Sequence, residues 1–401
     1  MSYVSLLRNP YAARLLAGTL VGRLPSAMAA VAIPLALRDA GAPYGFIGLA
    51  VGAFAVAAAV AGPLLGRLVD RVGQPLVLLG TAVLAGCGFL VVAVALDHRA
   101  GVVAGAALAG AATPPLEPCL RALWPDVVDA GKLESAYALD SASQQLIFVG
   151  GPLIVAGCVS VASPAGALWA ASLLGLAGVL VVATAAPARA WRAPARRADW
   201  LGPMRSRSLV VLLTSLTGVG VAIGTLNVVV VSYAEEHPLP GGAPTLLSLN
   251  ALGALAGGLL YGAVRRWPVP PARRTLLLAV GLALGYALLC LLPAPPFMAC
   301  LMLLTGLFLA PLLTVSFVLV GELAPTGTVT EAFAWLVTLV ASGSALGSAV
   351  VGLVLEHRGL TWAAACGVLG LASSVLILLA GQSRLDLDQR ADARASAVPS
   401  A

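Results

Sequence analysis

The sequence predicts an all-α membrane protein, with twelve transmembrane helices in two pseudo-symmetric six-helix bundles. Three observations lead there: an apolar composition, a one-sided distribution of positive charge, and an internal repeat at a fixed offset. Of 401 residues, 60% are hydrophobic and 10% charged, and the mean hydropathy is +0.98. A spanning helix needs about 20 apolar residues, so the chain holds material for about twelve spans and has no room for a large soluble domain.

Hydropathy places the spans at 11–37, 44–66, 75–96, 101–123, 134–158, 166–186, 208–232, 245–264, 275–292, 297–320, 330–355 and 360–381. Arg23 interrupts the apolar run of the first and argues for a retained helix over a signal peptide. The fourth carries Thr113-Pro114-Pro115-Leu116-Glu117-Pro118 and is expected to bend. Between spans six and seven, 187–207 is the longest polar connection, with six arginines against Asp199. The chain accordingly divides into a first half (1–186), a basic linker (187–207), a second half (208–381) and a tail (382–401) whose Arg, Asp, Ala and Ser content reads as disorder.

Orientation follows from the basic residues. Nineteen of the 23 lie at the amino end, in the even-numbered loops or at the carboxyl end, while Arg38, Arg99 and Arg358 fall in odd-numbered loops and Arg23 inside a span. Both termini are therefore expected in the cytoplasm, as in a bacterial inner membrane. The basic linker reads as a neighbour of anionic headgroups rather than of nucleic acid. Six single cysteines without a CxxC pair read as small buried hydrophobes, and three scattered histidines make a poor metal site, so neither metal nor cofactor is expected.

If the halves are copies, one offset superimposes the residues that backbone geometry places. An offset of 196 pairs Gly62 with Gly258, Gly66 with Gly262, Gly110 with Gly306, Pro115 with Pro311, Gly131 with Gly327 and Gly151 with Gly347. It also lays Ala136-Tyr137-Ala138 on Ala332-Phe333-Ala334. Parallel six-span repeats place a binding site between the halves near mid-membrane and let them rock around it.

Between spans two and three the chain reads Gly66-Arg67-Leu68-Val69-Asp70-Arg71-Val72-Gly73. This resembles the G-x-L-x-D-R-x-G signature of the major facilitator superfamily, in the loop where that family carries it. The counterpart Gly262-Ala263-Val264-Arg265-Arg266 has Arg266 where Asp70 maps. On physical grounds Gly66 permits close helix approach, Gly73 a tight turn, and Asp70 can accept hydrogen bonds from Arg71 or from a helix amino terminus. The resemblance implies that Asp70 latches the halves by facing the start of the eleventh span. That start, Thr328-Val329-Thr330-Glu331, reads as a capping box of its own. In span five, Gly150-Gly151-Pro152 resembles part of the family's antiporter motif and suits a bend in a rocking helix. The family's fourth-span arginine is missing, since Ala104 to Ala109 holds no charge.

Charges inside hydrocarbon cost about 2.5–3.5 kcal/mol and need a partner, a wet cavity or a function. The candidates are Arg23, Glu117, Asp140, Gln144 and Asn227. Arg23 with Glu117 is the preferred buried pair, and Asp140 with Arg121 reads as structural. Spans one, four, seven and ten line the cavity in the resembling family, which places Arg23, Glu117 and Asn227 on a substrate path with Gln144 beside them. Glu117 is the first candidate proton carrier and Asp140 the second. At the offset, Val219, Leu313 and Leu336 stand opposite Arg23, Glu117 and Asp140, so the second half reads as an apolar wall.

With no G-x-x-x-x-G-K-[ST] segment, ATP-driven pumping by this chain is excluded. The expectation is a monomeric secondary transporter, not an enzyme, working by alternating access and exporting a small amphipathic molecule against protons. A symporter or uniporter for a small polar metabolite stands behind it, and a membrane-embedded receptor or enzyme further back.

Overall fold

Backbone amides in hydrocarbon must bond one another, so an apolar chain of this length becomes helices. The computed structural model describes residues 3–194, 201–237, 240–264 and 267–396. Eleven of its helices are long and apolar enough to cross a membrane. They are Pro10–Asp39, Tyr44–Val72, Gln74–Val94, Leu133–Val161, Pro164–Ala183, Arg207–Glu236, Gly242–Ala263, Pro271–Leu289, Pro295–Leu323, Val329–Arg358 and Leu360–Ser396.

The fourth span completes the twelve as two pieces, Arg99–Ala111 and Leu116–Val127. Pro115 offers no amide hydrogen and disfavours helical backbone at the residue before it, which is another proline, so the helix stops rather than bends. At the repeat-related place in the tenth span Pro311 stands alone, and Pro295–Leu323 runs through it unbroken.

The carboxyl-terminal helix also differs from expectation. Instead of giving way to a disordered tail at 382, it is helical through Ser396. No glycine or proline lies between Gly381 and Pro399, alanine and arginine favour helix, and Leu385 is buried at 0% exposure. The cysteines divide as well: Cys119 is buried, but Cys87 and Cys300 are exposed. On a surface that faces lipid, a thiol gains nothing by hiding.

Within the first half, span one packs on spans five and six, span two on four, and span three on four and six. The second half repeats this pattern: seven on eleven and twelve, eight on ten, nine on ten and twelve. The offset of 196 holds at atomic level. Gly110 abuts the Phe54 carbonyl, and Gly306 abuts that of Asn250, which is Phe54 plus 196. In span six, a side chain at Gly178 would overlap the backbone of Gly22. We expect Gly178→Val to push spans one and six apart, at a loss of about 1–3 kcal/mol. An unchanged thermal unfolding midpoint in detergent would contradict this packing.

The halves meet through spans two and eleven, five and eight, five and ten, and four and eleven. With twelve alternating spans, both termini and the even-numbered connections share one end of the molecule, the basic end. Contacts between halves cluster there. Gly66 lies where a Cβ would sit 2.9 Å from the Ala334 Cβ and 3.0 Å from the Glu331 Cα. Gly262 meets Ala138 and Ser135, the same two positions less 196. Gly62 faces Thr338, and Gly258 faces Ala142 in the same relation. Tyr3, ahead of the first span, donates to the Leu259 carbonyl of span eight at 2.6 Å. Toward the opposite end, side chains added at Gly52, Gly157 or Gly352 would meet nothing within 4 Å. The contacts named here thus join the halves toward the basic end.

Candidate functional site

Restarting the fourth helix at Leu116 puts Glu117 in a first turn, where the helix dipole favours a carboxylate, and puts Arg121 one turn later on the same face. Arg23 Nη2 reaches Glu117 Oε2 at 2.6 Å. The other Glu117 oxygen pairs with Arg121 Nη2. Arg121 Nε donates to Asp140 Oδ2 at 2.8 Å. The two pairs expected separately therefore form one chain, Arg23–Glu117–Arg121–Asp140, across spans one, four and five. Arg121, Asp140 and Glu117 are 0%, 2% and 8% exposed.

Arg121 is the residue that sequence reasoning undervalued. Its spacing from Glu117, four residues along the helix that follows the prolines, is the signal that reveals it. Its guanidinium carbon lies 3.5 Å from the ring centre of Phe317 and 5.9 Å from that of Phe333, both from the second half. The Tyr137 hydroxyl donates to the Arg121 carbonyl at 3.2 Å. The wall opposite the charges is thus aromatic, supplied by residues other than Val219, Leu313 and Leu336.

The remaining candidates stand apart from this chain. Gln144 is half-buried one turn beyond Asp140, and Asn227 is exposed on span seven. A crevice of about 20 Å³ opens beside the helix break, lined by Gly22, Ser26, Phe89, Thr113 and Pro114. It has room for a water molecule but not for a metabolite. In span five Gly151 packs on Ala27 and Met28 of span one, Gly150 lies near Leu24, and the helix passes Pro152 without a break.

At the basic end the signature loop forms a latch. Asp70 accepts from the Thr330 amide at 3.2 Å and the Glu331 amide at 2.9 Å, capping the eleventh span from the other half. The expected capping box does not form. The Thr328 hydroxyl donates to the Pro325 carbonyl instead, and Glu331 takes Arg67, whose Nε donates to Oε1 at 3.0 Å. Arg71 is exposed and leaves Asp70 to the helix terminus. Gly73 turns the chain at φ 98°, a conformation that favours glycine.

The repeat-related latch has other chemistry. The Ser135 hydroxyl donates to the Gly262 carbonyl at 2.6 Å. Glu134 accepts from the Tyr261 hydroxyl at 2.8 Å and pairs with Arg274. Tyr261 stacks on Trp267 at 4.6 Å. Arg265 and Arg266 lie outside the described residues.

Solved structures share this architecture. A bacterial homologue of the iron transporter ferroportin, in an outward-facing state, superimposes with a TM-score of 0.77 at 13% identity, over 93% of this chain and 99% of its own. A human organic anion transporter gives 0.72 at 18% identity, over 93% and 98%. The fucose:proton symporter of Escherichia coli gives 0.71 at 14% identity, over 92% and 97%. At these identities the likeness is one of fold. No curated protein matches the chain in sequence. The sequence profile of the Major Facilitator Superfamily matches residues 15–329; with twelve spans in two repeated halves and the Gly66–Gly73 latch in place, this chain is a multi-pass membrane protein that belongs to that superfamily of transporters.

Proposed function

We propose that the protein is a proton-coupled exporter of a small amphipathic molecule. It would act as a monomer in a bacterial inner membrane, with the basic end and both termini in the cytoplasm. The observation that carries this reading is the buried chain Arg23–Glu117–Arg121–Asp140 beside the meeting of the halves. A carboxylate there exchanges one proton environment for another as the halves part. Protonating Glu117 breaks two ion pairs and protonating Asp140 breaks one, which makes Asp140 the less costly place for a proton. Arg23, Glu117, Gln144 and Asn227 offer the polar contacts for substrate, and the second half offers apolar ones. Gly150-Gly151-Pro152, which resembles part of the family's antiporter motif and whose glycines pack against span one, supports the export reading.

Purified protein in proteoliposomes with an imposed pH gradient tests the reading. Glu117→Gln and Asp140→Asn are each expected to cut gradient-driven flux by about tenfold or more while leaving exchange without a gradient. Flux that survives both substitutions would remove the chain from coupling. A wild-type rate indifferent to the gradient would favour a uniporter, a reading to which the mutual ion pairing of the four charges lends support.

A further inference from the structure

The residues that meet over Arg121 are related by the internal repeat. Arg121 plus 196 is Phe317, and Tyr137 plus 196 is Phe333. Each stands across the pseudo-two-fold axis from its own copy. Identical halves would bring two arginines together, and this chain has an arginine facing a ring. The three rings close on one another, with centres 6.2 Å apart for Tyr137–Phe317 and Tyr137–Phe333 and 6.4 Å for Phe317–Phe333. Phe317 and Phe333 are 1% and 0% exposed. They lie near the basic ends of spans ten and eleven, so the cradle exists only while that end is closed.

We propose that Phe317 and Phe333 form an aromatic cradle through which the second half senses Arg121, making Arg121 a positioning residue that ties the state of the first half's charge chain to closure of the basic end. A desolvated guanidinium on a ring face is attracted by the ring quadrupole, the more strongly the less water is present. Arg121 shares its charge among Glu117, Asp140 and the rings. Neutralising a carboxylate frees the guanidinium to shift, and only a second half seated on it registers that shift. The charged and titratable groups around it are Arg23 on span one, Glu117 on span four, and Asp140 and the Tyr137 phenol on span five. From the second half come Glu322 of span ten, acting on the Tyr137 phenol, and Glu331 of span eleven, paired with Arg67. The link to proton coupling rests on the function proposed above; the link to closure does not.

The test is the distance between halves at the basic end, read by spin labels at the exposed Leu76 and Leu277, without substrate or pH gradient, in protein lacking its native cysteines. Phe317→Leu and Phe333→Leu are each expected to raise the open fraction about five- to tenfold, whereas Phe317→Tyr, which keeps the ring, stays within about twofold. Phe317→Arg, which restores the symmetric pair as two like charges, should open the end further. In an Asp140→Asn background the leucine effect should differ from its wild-type value by about threefold or more. Tyrosine opening the gate as much as leucine, or leucine leaving it closed, would overturn the cradle. An identical leucine effect with and without Asp140 would overturn its tie to the charge chain. Because closure is read without a gradient, loss of the proton reading in flux assays leaves the closure result standing, and the reverse.

Discussion

Arg121→Ala is expected to destabilise the protein by about 3–5 kcal/mol, the largest loss from any single side chain described above. The substitution leaves Asp140 without its ion-pair partner and Glu117 with Arg23 alone, both carboxylates almost wholly buried. It also empties the space between Phe317 and Phe333. Much of the loss is the penalty for uncompensated buried charge rather than the worth of the pairs. Arg121→Met combined with Asp140→Asn, which leaves Arg23 and Glu117 paired with each other, should therefore recover more than half of it. Thermal unfolding in detergent separates the cases. A single-site loss below about 1 kcal/mol, or a double variant less stable than the single, would show that the chain is not the buried network its distances indicate.

Asp70→Ala is expected to shift the closed-to-open equilibrium at the basic end by about 2–3 kcal/mol, a change of about 30- to 150-fold. Among the described residues, Asp70 supplies the side-chain acceptors for the first amides of the eleventh span, while Thr328 turns its hydroxyl to Pro325 and Glu331 accepts from Arg67. Its negative charge also faces the positive end of that helix. Asp70→Asn keeps one carbonyl acceptor and should fall between the two. Labelling of cysteines placed at the contact between spans two and eleven reads the effect. An alanine variant as protected as the wild type would mean that Gly66–Ala334 packing closes the end without the latch.

Much of the candidate site was legible in sequence, and what was missed follows a pattern. Arg23 and Glu117 were found because a charge in hydrocarbon demands a partner, and few were on offer. The latch was legible because its glycines and aspartate are placed by backbone geometry. Arg121 was read only as a mate for Asp140, since hydropathy counts a residue near a helix end as interfacial while the packing of three spans buries it completely. Glu331 read as its own helix's cap, but a nearer cation, Arg67, came from 264 residues away. The Glu134–Tyr261–Arg274 latch carries no signature, because it replaces the lost aspartate with groups from three separate spans.

The sequence by itself determined the number of spans, their repetition and the side that carries positive charge. Each of these depends on periodicity, composition or a fixed spacing, and none requires knowing which helix touches which. Only the tertiary structure decided that two ion pairs fuse into one chain, that Asp70 rather than Thr328 caps the eleventh span, and that Arg121 faces its own repeat mate as a ring. Those outcomes depend on angstrom-scale distances between residues far apart in the chain, where a shift of one helical turn would give every carboxylate a different partner.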